Sequence, residues 1–77
     1  MALVLSGCGV YDGTEVQEAV AAILALERAG AEVVCAAPNV AAPVVLNHLT
    51  GHPMIGDERS VLVESARIAR GDVRDLA

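Results

Sequence analysis

Residues 6–13 read Ser-Gly-Cys-Gly-Val-Tyr-Asp-Gly, and this stretch decides the fold of the chain. It follows a short apolar run, Ala2 to Leu5, and leads into a segment with helical periodicity. The order predicts a strand, a glycine-rich turn and the start of a helix. Because ligands of open α/β sheets bind at the carboxyl ends of the strands, this turn is where function is expected.

The segment after the turn predicts a helix that begins at Thr14 and runs to about Ala29. Thr14 and Gln17 have the spacing of a capping box, in which each side chain binds the other residue's backbone amide. Gly30 suits the position just after a helix. The predicted core stripe of this helix consists of Val16, Ala19, Val20 and Ile23.

A second β-strand is predicted from Ala31 to Ala37, which completes a right-handed β-α-β unit with parallel strands. Residues 38–58 are irregular, with short extended pieces expected at 44–45 and 54–55. Ser60 is a good N-cap for a second helix that runs to Arg70, followed by Gly71. Two strands and two helices leave sheet edges and faces uncovered, so the pattern predicts part of a larger α/β domain.

The composition limits the functions that this chain can serve. It has 77 residues, a net charge of −5 and 55% hydrophobic residues, with one Tyr and neither Phe nor Trp. The arginines are interleaved with acids, which argues against nucleic acid and membrane partners. The start carries no basic region typical of a signal peptide, and there are two cysteines. These features lead us to expect a cytoplasmic protein.

Two residues near the turn have alternative interpretations. Cys8 lies beside a helix start, where a thiol can become reactive, but a small buried residue that fills a tight turn is the favoured interpretation. Glu18, judged by periodicity alone, is a first-turn acid on the surface. Tyr11 and Asp12 are either turn residues or part of a site, whereas Cys35 lies within the second strand and is expected in the core.

No cofactor or metal is expected. Gly7, Gly9 and Gly13 do not have the spacing of a dinucleotide fingerprint, and no phosphate-binding Gly-Lys-Ser/Thr follows. His48 and His52 are four residues apart, as helical metal ligands can be, but a Gly and a Pro interrupt the segment and no third ligand is evident. A structural or pocket-lining role is the expectation for Asn47-His48.

Four blocks of sequence resemble a known family. They are Leu-Val-Leu-Ser-Gly-Cys-Gly-Val-Tyr-Asp-Gly at 3–13, Glu-Ala-Val at 18–20, Asn-His-Leu-Thr-Gly at 47–51 and Ala-Arg-Ile-Ala-Arg-Gly at 66–71. Together they closely resemble the start of the ElbB proteins, also called enhancing lycopene biosynthesis or sigma cross-reacting proteins. That family belongs to the ThiJ/PfpI branch of the class I glutamine amidotransferase-like superfamily, and the resemblance covers essentially the whole chain.

The resemblance implies a fold and an activity. Residues 1–77 would form the N-terminal β-α-β unit plus helix of a single flavodoxin-like three-layer sandwich, incomplete as it stands. The family implies a metal-free and glutathione-free glyoxalase that turns glyoxal into glycolate with a cysteine nucleophile on a strand-to-helix elbow. Neither Cys8 nor Cys35 matches that cysteine, which comes later in the family. The segment alone is therefore expected to be inactive.

The resemblance also assigns candidate site residues. Glu18 matches the acid early in the first helix that approaches the nucleophile, where a carboxyl group could hold a thiolate or move a substrate proton. Gly7, Cys8, Gly9 and Tyr11 are the candidate binding residues for a small carbonyl compound. A homodimer or completion by a further chain is expected. The alternative is a non-enzymatic stress, chaperone-like or interaction role linked to isoprenoid biosynthesis.

Overall fold

A computed structural model describes residues 1–76 and shows an α/β arrangement with a parallel sheet, which confirms the predicted fold class. In chain order the elements are β1 (Ala2–Val4), α1 (Val16–Arg28), β2 (Val34–Ala37), β3 (Leu46–Asn47), β4 (His52–Pro53), α2 (Val61–Ala69) and β5 (Val73–Asp75). Strands β1, β2 and β5 form the parallel sheet in that order, and β3 pairs with β4 as an antiparallel hairpin.

Both helical crossovers step across the sheet in the same direction, from β1 to β2 and from β2 to β5. Because such crossovers are right-handed, α1 and α2 lie on the same face of the sheet, where they contact each other. The core between them and the sheet consists of Leu5, Ala19, Cys35, Ala37, Val61 and Ile68. The opposite face is partly open, and Val4 is 60% exposed although it belongs to a strand.

Strand β5 was not predicted. Its one apolar residue, Val73, is followed by two charged ones, so no apolar run indicates a strand there. Val73 is half-buried, whereas Arg74 and Asp75 are exposed. Its position depends on pairing, since Val73 lies opposite Cys35 of β2. The short sequence after α2 thus becomes a strand because β2 offers it an edge.

The predicted cap of α1 is wrong. The N-cap is Glu15, whose carboxylate accepts a hydrogen bond from the Glu18 amide at 2.5 Å. Thr14 is used differently, because its hydroxyl accepts a hydrogen bond from the Ser6 amide at 2.8 Å. The capping box with Gln17 therefore does not form, and the threonine closes the turn instead of starting the helix.

The other helix ends agree better with prediction. Gly30, just after the C-cap of α1, has a φ of 85°. Ser60 caps α2 by accepting from the Val63 amide at 3.3 Å. At the end of α2 the left-handed conformation begins at Arg70, with a φ of 56°, and continues at Gly71.

Each strand of the hairpin is displaced from the predicted extended piece by two residues. Its strands are 46–47 and 52–53 rather than 44–45 and 54–55. The reason is the turn between them, where the Asn47 carbonyl accepts from the Thr50 and Gly51 amides and Gly51 has a φ of 77°. Only glycine adopts that conformation at no steric cost.

The predicted core stripe of α1 is divided between the core and an open groove. Ala19 is buried and Ile23 packs against the core, but Val16 and Val20 are 38% and 40% exposed. The two valines line a groove of about 680 Å³ between α1, β2 and α2. Charged side chains on this groove are Glu27, Arg67, Arg70 and Asp72.

The glycine-rich turn is fixed to α2 by one buried hydrogen bond. The Gly7 amide donates to the hydroxyl of Ser65 at 2.8 Å, and the Ser65 side chain is fully buried. Gly7 has a φ of 77°, and this conformation turns the chain after β1 so that the Gly7 amide points toward α2. The bond spans 58 residues, so it joins the first and last parts of the fold.

We predict that Ser65→Ala lowers the free energy of unfolding by about 1–3 kcal/mol, because the Gly7 amide would stay buried without an acceptor. Denaturant unfolding followed by circular dichroism measures this change. Ser6→Ala is the matched control, since Ser6 is exposed, and it should change stability by less than about 0.5 kcal/mol. Equal effects of the two substitutions would contradict the assignment.

Candidate functional site

The candidate site is the turn at residues 6–14, which directly follows β1 at the carboxyl end of the sheet. Backbone hydrogen bonds close it: the Gly9 amide donates to the Thr14 carbonyl at 3.0 Å, and the Thr14 amide donates to the Ser6 carbonyl at 3.1 Å. Gly13 packs so closely that an added Cβ would lie 2.8 Å from the Cys8 nitrogen. The turn is therefore a compact loop that admits no side chain at residue 13.

The four candidate binding residues occupy different depths of this loop. Gly7 is buried, Cys8 and Gly9 are half-buried, and Tyr11 is 76% exposed. Gly7 and Cys8 line a water-sized cavity of about 10 Å³. Its other lining residues are Asp12, Ala42, Val44, Val45, Arg59, Val61 and Glu64. The loop thus meets the hairpin region and α2 around a small space lined by both apolar and charged side chains.

Asp12 and His48 form a contact that sequence reasoning missed. Asp12 Oδ1 lies 3.4 Å from Nε2 of His48, and Asp12 Oδ2 accepts from the Leu46 amide at 2.7 Å. The Tyr11 ring stacks on the His48 ring with centroids 6.1 Å apart and planes 21° apart. The partners are 36 residues apart in sequence, so no local periodicity could have indicated the pair.

A second buried carboxylate lies on the α2 side of the cavity. Glu64 has a side chain only 12% exposed, and its two oxygens lie 3.3 Å from Arg59 Nη1 and 3.3 Å from Arg67 Nε. Arg59 also contacts Asp57 at 3.5 Å. Because both oxygens of Glu64 are paired, its charge contributes to holding α2 and the preceding segment together.

Glu18 and His52 lie away from this cluster. Glu18 is exposed on the first turn of α1, and within residues 1–76 it lines neither the groove nor the small cavity. His52 is exposed on β4 opposite Asn47. The described residues contain no group of three or more His, Cys, Asp or Glu side chains placed to hold a metal ion. In the same part of the chain, no helix has the length and apolarity needed to cross a membrane.

The two cysteines have different surroundings. Cys35 is buried in β2, as predicted, and that burial raises the pKa of its thiol, with smaller contributions from the nearby carboxylates of Asp72 and Glu27. Cys8 is only half-buried. Since the thiolate is the reactive form, Cys35 should be the less reactive thiol.

We predict that iodoacetamide at about pH 8 modifies Cys8 at least about tenfold faster than Cys35, as measured by mass spectrometry of peptides over time. Equal alkylation rates would disprove the burial argument.

The raised pKa of Cys35 also has a consequence for stability. Its stabilising contribution is complete below the pKa of the unfolded thiol and is lost as the pH rises through the folded value. The loss of stability at alkaline pH should therefore be smaller in Cys35→Ala than in the wild-type chain.

Comparison with known proteins shows what the chain is similar to. No protein-family model matches it. All 77 residues align with the human protein named glutamine amidotransferase-like class 1 domain-containing protein 3, mitochondrial, at 58% identity over 29% of that protein's length. The rat ES1 protein homolog, mitochondrial, is 56% identical over the same span and share. The chain thus spans less than a third of the length of these relatives.

The mitochondrial names of these relatives contradict the expectation of a cytoplasmic protein, which is therefore wrong. The physical reason is that free cysteines are compatible with every reducing compartment, so they do not distinguish the cytoplasm from another one.

A solved structure shows the same fold. It is the crystal structure of an isoprenoid biosynthesis protein with an amidotransferase-like domain from Ehrlichia chaffeensis, which matches with a TM-score of 0.92 and 46% identity. The match covers 96% of this chain and 34% of the other. The predicted resemblance is confirmed: the homologues of this chain are class I glutamine amidotransferase-like proteins, including an ES1 homolog and an isoprenoid biosynthesis protein, and the chain fits the N-terminal part of that superfamily.

Proposed function

We propose that this chain is the N-terminal part of a single amidotransferase-like domain that acts as a cofactor-free glyoxalase, converting glyoxal to glycolate. The observation that best supports this function is the closed glycine-rich turn at the carboxyl end of the parallel sheet, held to α2 through Ser65. Ligands of open α/β sheets bind at this end. The proposal also follows from the ElbB resemblance.

The chemistry explains why no redox cofactor is needed. Glyoxal and one water give glycolate, so one carbon is oxidised while the other is reduced and no electrons leave the molecule. A nucleophile adds to one aldehyde carbon, and a base moves a proton from that carbon to its neighbour, which leaves a thioester when the nucleophile is a thiolate. Water then cleaves the thioester and releases glycolate and the thiolate. In this proposal the thiolate nucleophile comes from a part of the protein outside these 77 residues.

Glu18 is the base in this proposal. It lies on the first turn of α1, directly after the candidate loop, where the helix dipole favours a negative charge. Its carboxylate is exposed in this segment, so it is open to contact with the rest of the domain. It could then either hold the thiolate by a hydrogen bond or move the substrate proton.

The binding residues in this proposal are Gly7, Cys8, Gly9 and Tyr11. Cys8 and Gly9 are half-buried and Tyr11 is exposed on the same loop, so the loop offers a shallow rim and no deep pocket. A rim of this kind suits a two-carbon carbonyl compound better than a large substrate. Cys8 acts as a lining residue here, because the family nucleophile lies elsewhere.

The test uses a chimaera in which this chain replaces the matched 77 residues of the human relative. We predict that it forms glycolate from glyoxal and that Glu18→Gln lowers kcat/KM by about 100-fold or more, with thermal stability unchanged. Loss of a positioned acid-base group has an effect of that size. Glycolate formation is followed by chromatography, so that glyoxal consumption by other routes is not counted.

Glu58→Gln is the control, since Glu58 is exposed and follows the hairpin. Glu15→Gln would be a poor control because Glu15 caps α1. A chimaera that is folded but forms no glycolate would refute the glyoxalase proposal. A Glu18→Gln variant with the rates of Glu58→Gln would refute the role of Glu18 alone.

A second candidate function is supported by the open groove between α1 and α2. Its apolar lining and charged rim are suited to protein contact, either with a second copy or with a further chain. Under this proposal the protein is a non-enzymatic interaction subunit or chaperone-like protein, and the Ehrlichia relative's name supports a link to isoprenoid biosynthesis. Native mass spectrometry separates this candidate from the first, because it requires a stable complex and no glyoxal turnover.

A further inference from the structure

The segment that carries the β3–β4 hairpin leaves the sheet and helices and returns to them at one place. Ala41 and Ser60 form an antiparallel bridge at its base. Beside this bridge the Ala42 amide donates to the Arg59 carbonyl at 2.8 Å. Residues 42–59, here called the hairpin segment, therefore begin and end side by side.

The hairpin segment packs against little of the remaining structure. Within residues 1–76, β3 and β4 contact each other but no other helix or strand. Leu49 in the hairpin turn is 96% exposed, and Ile55 after β4 is 100% exposed. Segments with few buried apolar contacts open locally while the rest of the fold stays intact. The hairpin segment can therefore move as a unit about its base.

Two contacts join the hairpin segment to the glycine-rich loop. The Leu46 amide donates to Asp12 Oδ2 at 2.7 Å, and the Asp12 side chain is only 8% exposed. Next to this bond, the ring of Tyr11 stacks on that of His48. Because its acceptor is a carboxylate, the bond from Leu46 belongs to the stronger class of hydrogen bonds. It holds the segment on the loop in the way that a latch holds a cover.

Two of the candidate binding residues lie beneath the hairpin segment. Gly7 and Cys8 line the small cavity from the loop, and Val44 and Val45 line it from the segment. Val45 is only 5% exposed, so it covers this space closely. Movement of the segment away from the loop would uncover Gly7 and Cys8 together.

We propose that residues 42–59 are a lid over the glycine-rich loop, hinged at the Ala41–Ser60 bridge and latched by the hydrogen bond between Leu46 and Asp12. With the latch closed, only small molecules reach the loop. With the latch broken, the lid lifts and larger molecules reach Cys8. The proposal goes beyond the glyoxalase function and does not depend on it, because it concerns access to the loop.

The rate at which a bulky maleimide alkylates Cys8 in the full chain measures the opening of the lid. Asp12→Ala removes the acceptor of the latch, and Leu46→Pro removes its donor from the opposite side. We expect each variant to raise the rate at Cys8 about tenfold, as measured by mass spectrometry of peptides over time. The rate at Cys35, which is buried in β2, should not change, because the sheet and helices stay folded.

Two further variants serve as controls. Asp12→Asn keeps an oxygen that accepts the Leu46 amide, so its rate at Cys8 should stay within about threefold of the wild-type rate. Glu58→Gln changes an exposed acid on the lid itself and should react as the wild-type chain does.

Three results would overturn the proposal. The first is an equal rate at Cys8 in the wild-type chain and in both latch variants. The second is a rise in Asp12→Ala without a rise in Leu46→Pro, which would mean that the loop itself had been disturbed. The third is a parallel rise at Cys35, which would mean global unfolding instead of lid opening.

Discussion

The hydrogen bond from the Gly7 amide to the Ser65 hydroxyl is the constraint on which the rest of this structure depends. β1 ends at Val4, and Leu5 still contacts β2 through its amide, so the chain must turn within two residues. Gly7 makes that turn with a positive φ, and its amide would be buried without a partner if α2 did not supply a hydroxyl. The position of α2 therefore determines the shape of the loop where a ligand would bind.

The loop depends on three further contacts, two of them within the loop and one with the hairpin. Thr14 binds the Ser6 amide, Asp12 binds the Leu46 amide, and Gly13 leaves no space for a side chain. In each case a short polar side chain or a glycine fixes the loop, where a larger domain would use apolar side chains packed in its core. These contacts account for the close packing of the turn at the end of the sheet.

Local patterns were sufficient to predict much of the fold, and non-local pairing explains what they missed. The apolar run before the glycines and the capped helix that starts after Ser60 could be identified from adjacent residues. β5 could not, because Val73 to Asp75 become a strand only through β2. Thr14 was assigned to the wrong role because its partner Ser6 lies eight residues away. The Asp12–His48 contact was missed for the same reason, although each residue had been considered separately.

The account of the loop is tested most directly by hydrogen exchange at the Gly7 amide, measured by NMR in the wild-type chain. If the amide is bound to the buried Ser65 hydroxyl, it should exchange as slowly as the Leu5 amide, which donates to the Ala36 carbonyl of the sheet at 2.8 Å. Exchange as fast as that of an exposed amide in the Gly56 turn would contradict the account, because the loop would then not be held by α2.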